Sequence, residues 1–317
     1  MSLIYNVVII DDQKEFYEDY KFIIKDHLLK QGFIANVDYI PSNLSFSKYE
    51  LSKPDLYLID LKFGHADQGQ DFIKTIRKNY YTDILFYSSD HEAIKKYRQS
   101  AEMQGIYFAE KDEQTSEVDD LLKGLLNKMI LKSNSPRSTR GIIMECVSEL
   151  DETVREKIVF LASVIKKQEV KKIEKDILKL FKTSNDGRIG KLEKFFHINF
   201  TKGKVESSEF AKEYETFDLE SLVNDIHITD SSKNTKILLI LYKHLYGEDE
   251  LFSKIKRYEE LLTKRNILAH VSQETSPNGF VFRNKKDRNK NYYLTTEESI
   301  ALRNLVIEME GCISKIR

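Results

Sequence analysis

Five polar residues have the types needed to place a phosphoryl group on a carboxylate: Asp11, Asp12, Asp60, Ser88 and Lys111. Carboxylates that lie together repel one another unless a cation lies among them, and all-oxygen ligation suits Mg²⁺. A carboxylate held beside Mg²⁺ can attack a phosphoryl group and become an aspartyl phosphate. A lysine and a hydroxyl can then stabilise the phosphoryl oxygens. These residue types predict a phosphoryl-transfer site, provided that the fold brings them together.

The elements that must bring them together are short apolar strands that alternate with helices. Asp11 and Asp12 follow the first predicted strand, and Asp60 lies at the end of the third. Ser88 ends the fourth, and Lys111 comes shortly after the fifth. Such alternation predicts a five-stranded, parallel, doubly wound α/β sheet, whose sites lie at the carboxyl ends of the strands. The predicted strands are Ile4–Ile10, Phe33–Ile40, Leu56–Leu61, Ile84–Tyr87 and Ile106–Phe108, and the predicted helices are Phe16–Leu29, Phe72–Ile76, Ala93–Tyr97 and Val118–Leu131.

The rest of the chain has a mainly helical pattern. Residues 133–140 are polar and contain a proline, which predicts a linker between a domain at residues 1–132 and one at residues 141–317. Gly279–Phe282 and Tyr292–Leu294 predict a small β-hairpin. The second domain is therefore predicted to be a mainly α-helical bundle with that hairpin. Its predicted helices lie near residues 141–165, 168–183, 190–200, 219–226, 234–246, 250–270 and 296–316.

Composition excludes several classes of protein. Of the 317 residues, 41% are hydrophobic and 32% are charged, and the net charge is −1, as in soluble globular proteins. No apolar run approaches the roughly 20 residues of a membrane span, and no secretory signal is expected from the first residues. The two cysteines, Cys146 and Cys312, are too few for a disulfide framework or a Cys-rich zinc site. We therefore expect a cytoplasmic protein with no membrane partner.

The residues at the strand ends resemble the receiver domain of two-component response regulators, over roughly residues 4–132. The resemblance implies that Asp60 is the phospho-acceptor and that a histidine kinase or phosphotransfer protein is the donor. It implies that Ser88 is the switch hydroxyl, that Lys111 binds the phosphoryl group and that Phe108 is the aromatic switch residue. It also implies Mg²⁺ as the cofactor, with ligands from Asp11, Asp12, Asp60 and the backbone carbonyl of Lys62.

The sequence departs from the receiver pattern at two places. Asp112 stands where a proline usually follows the lysine, and the loop Phe63–Gln68 is longer by about one residue. Neither departure removes a reacting group. A receiver-like fold that is never phosphorylated is nevertheless an open alternative.

A second set of candidate residues lies near the end of a predicted helix. At about 100° per residue, Asn266 and His270 share a helix face, and Arg265 flanks it. Cleavage of a phosphodiester needs such groups, namely a base or acid near the 2′-hydroxyl and a cation beside the phosphorane. The ordinary alternative is that a basic residue and a histidine near a helix C-terminus favour the helix dipole.

This segment is similar to the Arg-x4–6-His signature of the HEPN superfamily (higher eukaryotes and prokaryotes nucleotide-binding), over a helical bundle at residues 141–317. The resemblance implies a metal-independent ribonuclease that acts on RNA, in which Arg265 and His270 are catalytic and Asn266 assists. It also implies a homodimer in which the two motifs form one cleft.

Taken together, these residues predict a response regulator of a phosphorelay. Phosphorylation of Asp60 is expected to shift Ser88 and Phe108, to change dimer geometry and so to control the helical domain. That domain is either a ribonuclease or a non-catalytic module that binds a partner protein. A DNA-binding domain is a third alternative.

Overall fold

The computed structural model divides the chain into two compact units. It describes residues 3–41, 54–61, 82–100, 105–112, 116–166, 169, 172–181, 183, 219–225, 227–276, 279–283 and 291–317. One unit, called here the α/β unit, comprises Met1–Ile143 and Ser272–Asn304, and the other, the helical unit, comprises Met144–Val271 and Leu305–Arg317. The helices predicted at 72–76 and 190–200 lie outside the described residues. None of the described helices combines the length and the apolar composition that crossing a membrane requires.

The α/β unit is built on a parallel sheet of five strands. They are β1 (Ile4–Asp11), β2 (Ile34–Pro41), β3 (Leu56–Asp60), β4 (Asp83–Ser88) and β5 (Ile106–Glu110). The strands pair in the order β2-β1-β3-β4-β5. Described helices of this part are α1 (Lys14–Lys30), α2 (His91–Ser100) and α3 (Glu117–Ser133). The prediction of a five-stranded parallel sheet with helices is confirmed.

Packing on both faces of the sheet holds the strand ends in place. Nearly every residue of β3 and β4 is buried, as in parallel sheets that are covered on both sides. Because side chains alternate along a strand, Phe86 and Tyr87 face opposite ways. Phe86 belongs to an apolar cluster with Phe108 and with Ile94 of α2. Tyr87 stacks instead on Phe16 of α1, with ring centres 4.5 Å apart.

Residues 133–140, predicted as a linker, are largely helical. The helix α3 ends at Ser133, and α4 (Pro136–Val164) begins three residues later. The Ser135 hydroxyl accepts the backbone N–H of Ser138 at 3.2 Å, which caps the new helix. Proline suits the first helical position because its missing N–H would have no partner there. A polar Ser-Pro segment therefore starts a helix here. The prediction that residues 133–140 separate two functional domains stays a prediction.

The helical unit contains most of α4 and several further helices. The predicted helix at 250–270 is in fact two helices, because the chain turns at Arg257. Apolar residues keep helical spacing through both, so the sequence gives no sign of the break. Residues 172–181 are also helical, and the other helices are α5 (Leu219–Asn224), α6 (Ser231–Tyr246), α7 (Glu250–Lys256) and α8 (Tyr258–His270).

A second, smaller sheet belongs to the α/β unit. It is antiparallel, in the order β6 (Gln273–Ser276), β7 (Gly279–Phe282) and β8 (Tyr292–Leu294). The predicted hairpin of β7 and β8 is confirmed, and β6 adds a third strand. The sequence analysis misses β6 because an all-polar edge strand has no alternation of apolar and polar residues.

The last helix, α9 (Thr296–Ile313), contributes Arg303 to the α/β unit. The Arg303 side chain is fully buried, with its guanidinium 4.3 Å from the centre of the Phe33 ring. Its Nε donates to the backbone oxygen of Gln31 at 3.0 Å. Burial lowers the pKa of Arg303 to about 10. Gly32 lies so close that an added Cβ would stand 2.8 Å from the Cβ of Arg303, and its φ is +73°.

We expect Gly32→Ala to destabilise the α/β unit by about 2–5 kcal/mol. The left-handed backbone costs an L-residue about 1–2 kcal/mol, and forced repacking costs about 1–3 kcal/mol. Urea unfolding followed by circular dichroism measures the change. The control is Gly124→Ala within α3, where no atom lies within 4 Å of the added Cβ. That change should stabilise the protein by up to about 1 kcal/mol, so a similar effect of both substitutions would contradict this view of Gly32.

Candidate functional site

Three carboxylates meet at the carboxyl end of the parallel sheet. Asp11 is the last residue of β1, Asp12 follows it, and Asp60 is the last residue of the adjoining strand β3. One carboxylate oxygen of each lies within 4.8 Å of the other two. Asp11 and Asp60 are buried, whereas Asp12 is exposed. The strand pairing thus brings together the three acidic residues that the sequence analysis selects.

Asp11 is held by donors on both of its carboxylate oxygens. Its Oδ1 accepts the backbone N–H of Gln13 at 2.7 Å. Its Oδ2 accepts the hydroxyl of Tyr87 at 2.7 Å and lies 3.6 Å from the Lys111 ammonium. Since a carboxylate oxygen has two lone pairs, each oxygen retains capacity for another ligand. The orientation of the Asp11 carboxylate is therefore fixed, while both of its oxygens can still bind another ligand.

Tyr87 is the site residue that the sequence analysis does not identify. Its side chain is fully buried, and burial together with the neighbouring carboxylate of Asp11 raises its pKa well above the usual value. The hydroxyl therefore keeps its proton and acts as a donor. A tyrosine within an apolar strand predicts only a core position. The signal that was available is its place directly before Ser88, at the end of a strand that reaches the site.

Lys111 lies over an aromatic ring beside the carboxylates. Its Nζ is 4.1 Å from the centre of the Phe16 ring and donates to the side-chain oxygen of Gln13 at 2.9 Å. Its backbone N–H donates to the backbone oxygen of Ser88 at 2.8 Å, which joins the chain after β5 to the end of β4. The Phe16 ring and the Gln13 side chain hold the ammonium within ion-pair distance of Asp11, 3.6 Å from its Oδ2.

The predicted switch hydroxyl lies at the same edge of the sheet. Ser88 is fully buried at the end of β4, and its Oγ accepts the backbone N–H of Asp90 at 3.1 Å. The next strand, β5, pairs with β4 so that Ser88 lies opposite Glu110. The predicted ligand Lys62 and the loop Phe63–Gln68 lie outside the described residues.

The predicted switch ring, Phe108, lies in the core rather than at the edge. It stands in β5 and is buried, with its ring centre 6.0 Å from that of Tyr97 of α2. Its backbone oxygen accepts Arg98 Nη2 of the same helix at 2.9 Å. Phe108 therefore connects the strand that leads to Lys111 with α2.

The donor set fits a divalent cation. In their charged forms, three carboxylates and one ammonium would carry two net negative charges, which one Mg²⁺ would neutralise. Mg²⁺ prefers oxygen ligands of this kind and usually binds through one or two carboxylates and several waters. Asp11, Asp12 and Asp60 would hold the ion. When bound, it would neutralise charge on an incoming phosphoryl group.

The second set of candidate residues lies on α8 in the helical unit. Arg265 Nη2 donates to the Ser231 hydroxyl at 2.9 Å and lies 3.8 Å from Asp151 Oδ2. Arg265 and Asn266 line a cavity of about 400 Å³. His270 is the last residue of α8, is exposed, and is not among the described residues that line this cavity. The structure thus brings two of the three candidates to one cavity.

Comparison with known proteins identifies no relative of this chain. No protein-family model matches it, and neither does a curated protein or a solved structure. The likeness to receivers therefore depends on what the chain itself provides, which is the strand order, the carboxylates at the strand ends and the lysine beside them.

Tyr87→Phe keeps the ring on Phe16 and removes the hydroxyl that orients Asp11. We expect it to weaken Mg²⁺ binding about 10-fold, as loss of a hydrogen bond to a metal-ligating side chain does elsewhere. Calorimetric titration with Mg²⁺ measures this. The control is Tyr107→Phe on β5, which removes a hydroxyl that accepts from Lys128 at 3.0 Å. Unchanged Mg²⁺ affinity of Tyr87→Phe would mean that Tyr87 does not position Asp11.

Proposed function

We propose that the α/β unit is a receiver that accepts a phosphoryl group on Asp60 from a histidine kinase or phosphotransfer protein. The supporting observation is the meeting of Asp11, Asp12 and Asp60 within 4.8 Å, with Lys111 beside Asp11. Two buried carboxylates at this distance repel each other, so the arrangement costs stability unless it serves a cation. Phosphoryl transfer would use all of these groups.

In the proposed reaction, a carboxylate oxygen of Asp60 attacks the phosphorus of a phosphohistidine. The new O–P bond forms as the P–N bond breaks, and the imidazole leaves with the bonding pair and takes up a proton. Lys111 and Ser88 then donate to the phosphoryl oxygens. The proposed Mg²⁺ ligands are Asp11, Asp12, Asp60 and the backbone carbonyl of Lys62.

The proposed signal travels through Ser88 and Phe108. The Ser88 Oγ now accepts from Asp90, and its proton is available for a phosphoryl oxygen. Phe108 packs on Tyr97, so a displacement of its ring would alter the surface of α2. A bias of a few kcal/mol is enough to change which of two states predominates. We propose that the favoured state has a different homodimer geometry and thereby controls the helical region.

Asp60→Asn should abolish phosphorylation by a small phosphodonor in Mg²⁺. The amide nitrogen cannot attack as a carboxylate oxygen does. Intact-protein mass spectrometry detects the phosphoryl group, and its release by hydroxylamine identifies an acyl phosphate. The control is Asp26→Asn, at an exposed carboxylate on α1 that pairs with Lys30. Labelling that survives in Asp60→Asn, or that needs no Mg²⁺, would contradict the proposal.

A second candidate function concerns the helical region, which we propose as the effector. Arg265 and Asn266 line one cavity, which favours a metal-independent ribonuclease of the HEPN type. The geometry supports it less than the receiver, because Asp151 and Ser231 already engage Arg265. A non-catalytic module that binds a partner protein is the alternative, and a DNA-binding domain is the third.

The ribonuclease candidate predicts that the protein cleaves labelled RNA in EDTA and that Arg265→Ala and His270→Ala abolish the cleavage. The control is His244→Ala on α6, where the imidazole lies 3.2 Å from Glu169. Cleavage that His270→Ala leaves intact would exclude the proposed pair. Absence of cleavage by a protein that is phosphorylated on Asp60 would favour the partner-binding module. DNA binding that falls steeply with salt would favour the third alternative.

A further inference from the structure

The cavity of the helical unit has polar walls that the proposed receiver does not explain. It has a volume of about 400 Å³, within the usual range of sites for small ligands. The start of α6, the helix α8 and the middle of α4 all contribute to it. The polar residues that matter here are Arg155, Ser231, Ser232, Asn234, Arg265 and Asn266.

The N-terminus of α6 opens into this cavity. The helix is 16 residues long and begins at Ser231. Its N-cap, Asp230, accepts the backbone N–H of Lys233 at 2.9 Å. The N–H groups of Ser231 and Ser232 precede the first intrahelical bond, so they have no partner within the helix. Together with the helix dipole, they favour an anion at this end.

Two arginines face the same space. Arg155 makes no ion pair with the described part of the chain. Arg265 donates through Nη2 to Ser231, while its Nε is buried and has no hydrogen-bond partner among the described residues. Arg265 is kept in place by Asp151, which itself accepts the hydroxyl of Tyr258 at 2.8 Å. Two guanidinium groups with unused donors match the oxygens of a phosphate.

The charges around the cavity leave a positive excess. Its charged wall residues are Arg155, Arg265 and Asp230. Outside the wall, the Asp151 carboxylate accepts the Ser231 hydroxyl and lies 3.8 Å from Arg265, and the Lys233 ammonium donates to a backbone oxygen at 2.6 Å. The residues that line the cavity thus carry two positive charges and one negative charge, and the one carboxylate among them accepts a backbone N–H at the helix N-terminus. An anion would therefore be attracted to the cavity.

Asn234 supplies an independent sign that a ligand is missing. Its side chain is only 4% exposed and lines the cavity. Its Nδ2 donates to the backbone oxygen of Val223 at 3.3 Å, but its Oδ1 is buried and accepts no hydrogen bond from any part of the chain that the structure describes. Buried acceptors are almost always satisfied, because leaving one without a donor is costly. A ligand with a hydroxyl or amine near its phosphate would supply that donor.

We propose that this cavity binds a small phosphate monoester, with the phosphate between Arg155, Arg265 and the N-terminus of α6, and a hydroxyl or amine of the ligand on Asn234. Sugar phosphates and nucleoside monophosphates share this chemistry. The site uses Arg155 and Asn234, and it does not use His270. It therefore shares Arg265 with the ribonuclease candidate but differs from it in its other contacts, and it does not depend on the receiver proposal.

The test is calorimetric titration of the full chain in EDTA. Without a divalent ion, the carboxylates of the α/β unit repel phosphate, so binding reports on the helical unit. Inorganic phosphate, glucose 6-phosphate and adenosine monophosphate are the probes, and glucose and adenosine are their controls without phosphate. We expect saturable binding of one or both esters and none of the controls. The ester that binds more tightly identifies the ligand class.

Two variants distinguish the contact with the phosphate from the contact with the hydroxyl or amine of the ligand. Arg155→Gln should weaken binding of all three phosphates at least 10-fold. Asn234→Leu should weaken only the esters, since inorganic phosphate does not need the buried acceptor. The matched control is Arg257→Gln, which removes an arginine that pairs with Glu308 and does not line the cavity. Circular dichroism verifies folding of each variant.

The proposal would be overturned if neither inorganic phosphate nor either ester binds saturably. It would also be overturned if Arg155→Gln binds them as tightly as the unsubstituted protein does. Binding of an RNA oligonucleotide alone, with His270-dependent cleavage, would replace it by the ribonuclease function. Repeating the titration with Asp60→Asn distinguishes the phosphate-ester site from the proposed receiver site. That variant should retain ester binding, and loss of binding there would assign the site to the α/β unit and overturn the proposal.

Discussion

The repulsion between carboxylates at the end of β1 and β3 is the constraint on which the α/β unit depends. Neighbouring parallel strands lie about 4.8 Å apart, so Asp11 and Asp60 at their ends cannot avoid each other while the sheet is formed. Both are buried, which weakens the screening by water. The fold offsets part of this cost with donors to Asp11 and with one ammonium. The charge that remains is of the size that a divalent cation removes.

Two aromatic residues near Asp11 belong both to the hydrophobic core and to the candidate site. Tyr87 is a core residue by its burial and a site residue by its hydroxyl. Phe16 supports the ring of Tyr87 on one side and carries the ammonium of Lys111. The aromatic stack that covers this face of the sheet therefore also sets the position of the Lys111 ammonium. A substitution that loosens the stack is expected to displace the Lys111 ammonium and to lower the stability of the sheet together.

The sequence was sufficient to predict the parallel sheet and the convergence of Asp11, Asp12 and Asp60, because strands of this kind end at one edge whatever their neighbours are. It was not sufficient for Tyr87, whose hydroxyl has meaning only once β1 and β4 are placed. Strand β6 gave no periodic signal, and the break at Arg257 interrupts no apolar pattern. Each of these features depends on contacts between distant segments.

In the helical unit even less of the structure could be predicted from the sequence, because helical periodicity does not indicate which helices pack against each other. The sequence selects Arg265 by its spacing to His270, yet Arg265 lies beside Ser231 and Asp151, while His270 is not among the described residues lining the cavity. The partners that give Arg265 a chemical role come from α4 and α6, far away along the chain. In both units the informative observation is a buried polar group: the carboxylate of Asp11 beside two further carboxylates, and the Asn234 amide oxygen without a donor among the described residues. In the α/β unit the deficit is positive charge, and in the helical unit it is a hydrogen-bond donor near positive charge. The ligands proposed for the two units are therefore of opposite sign, a cation for the α/β unit and an anion for the helical unit.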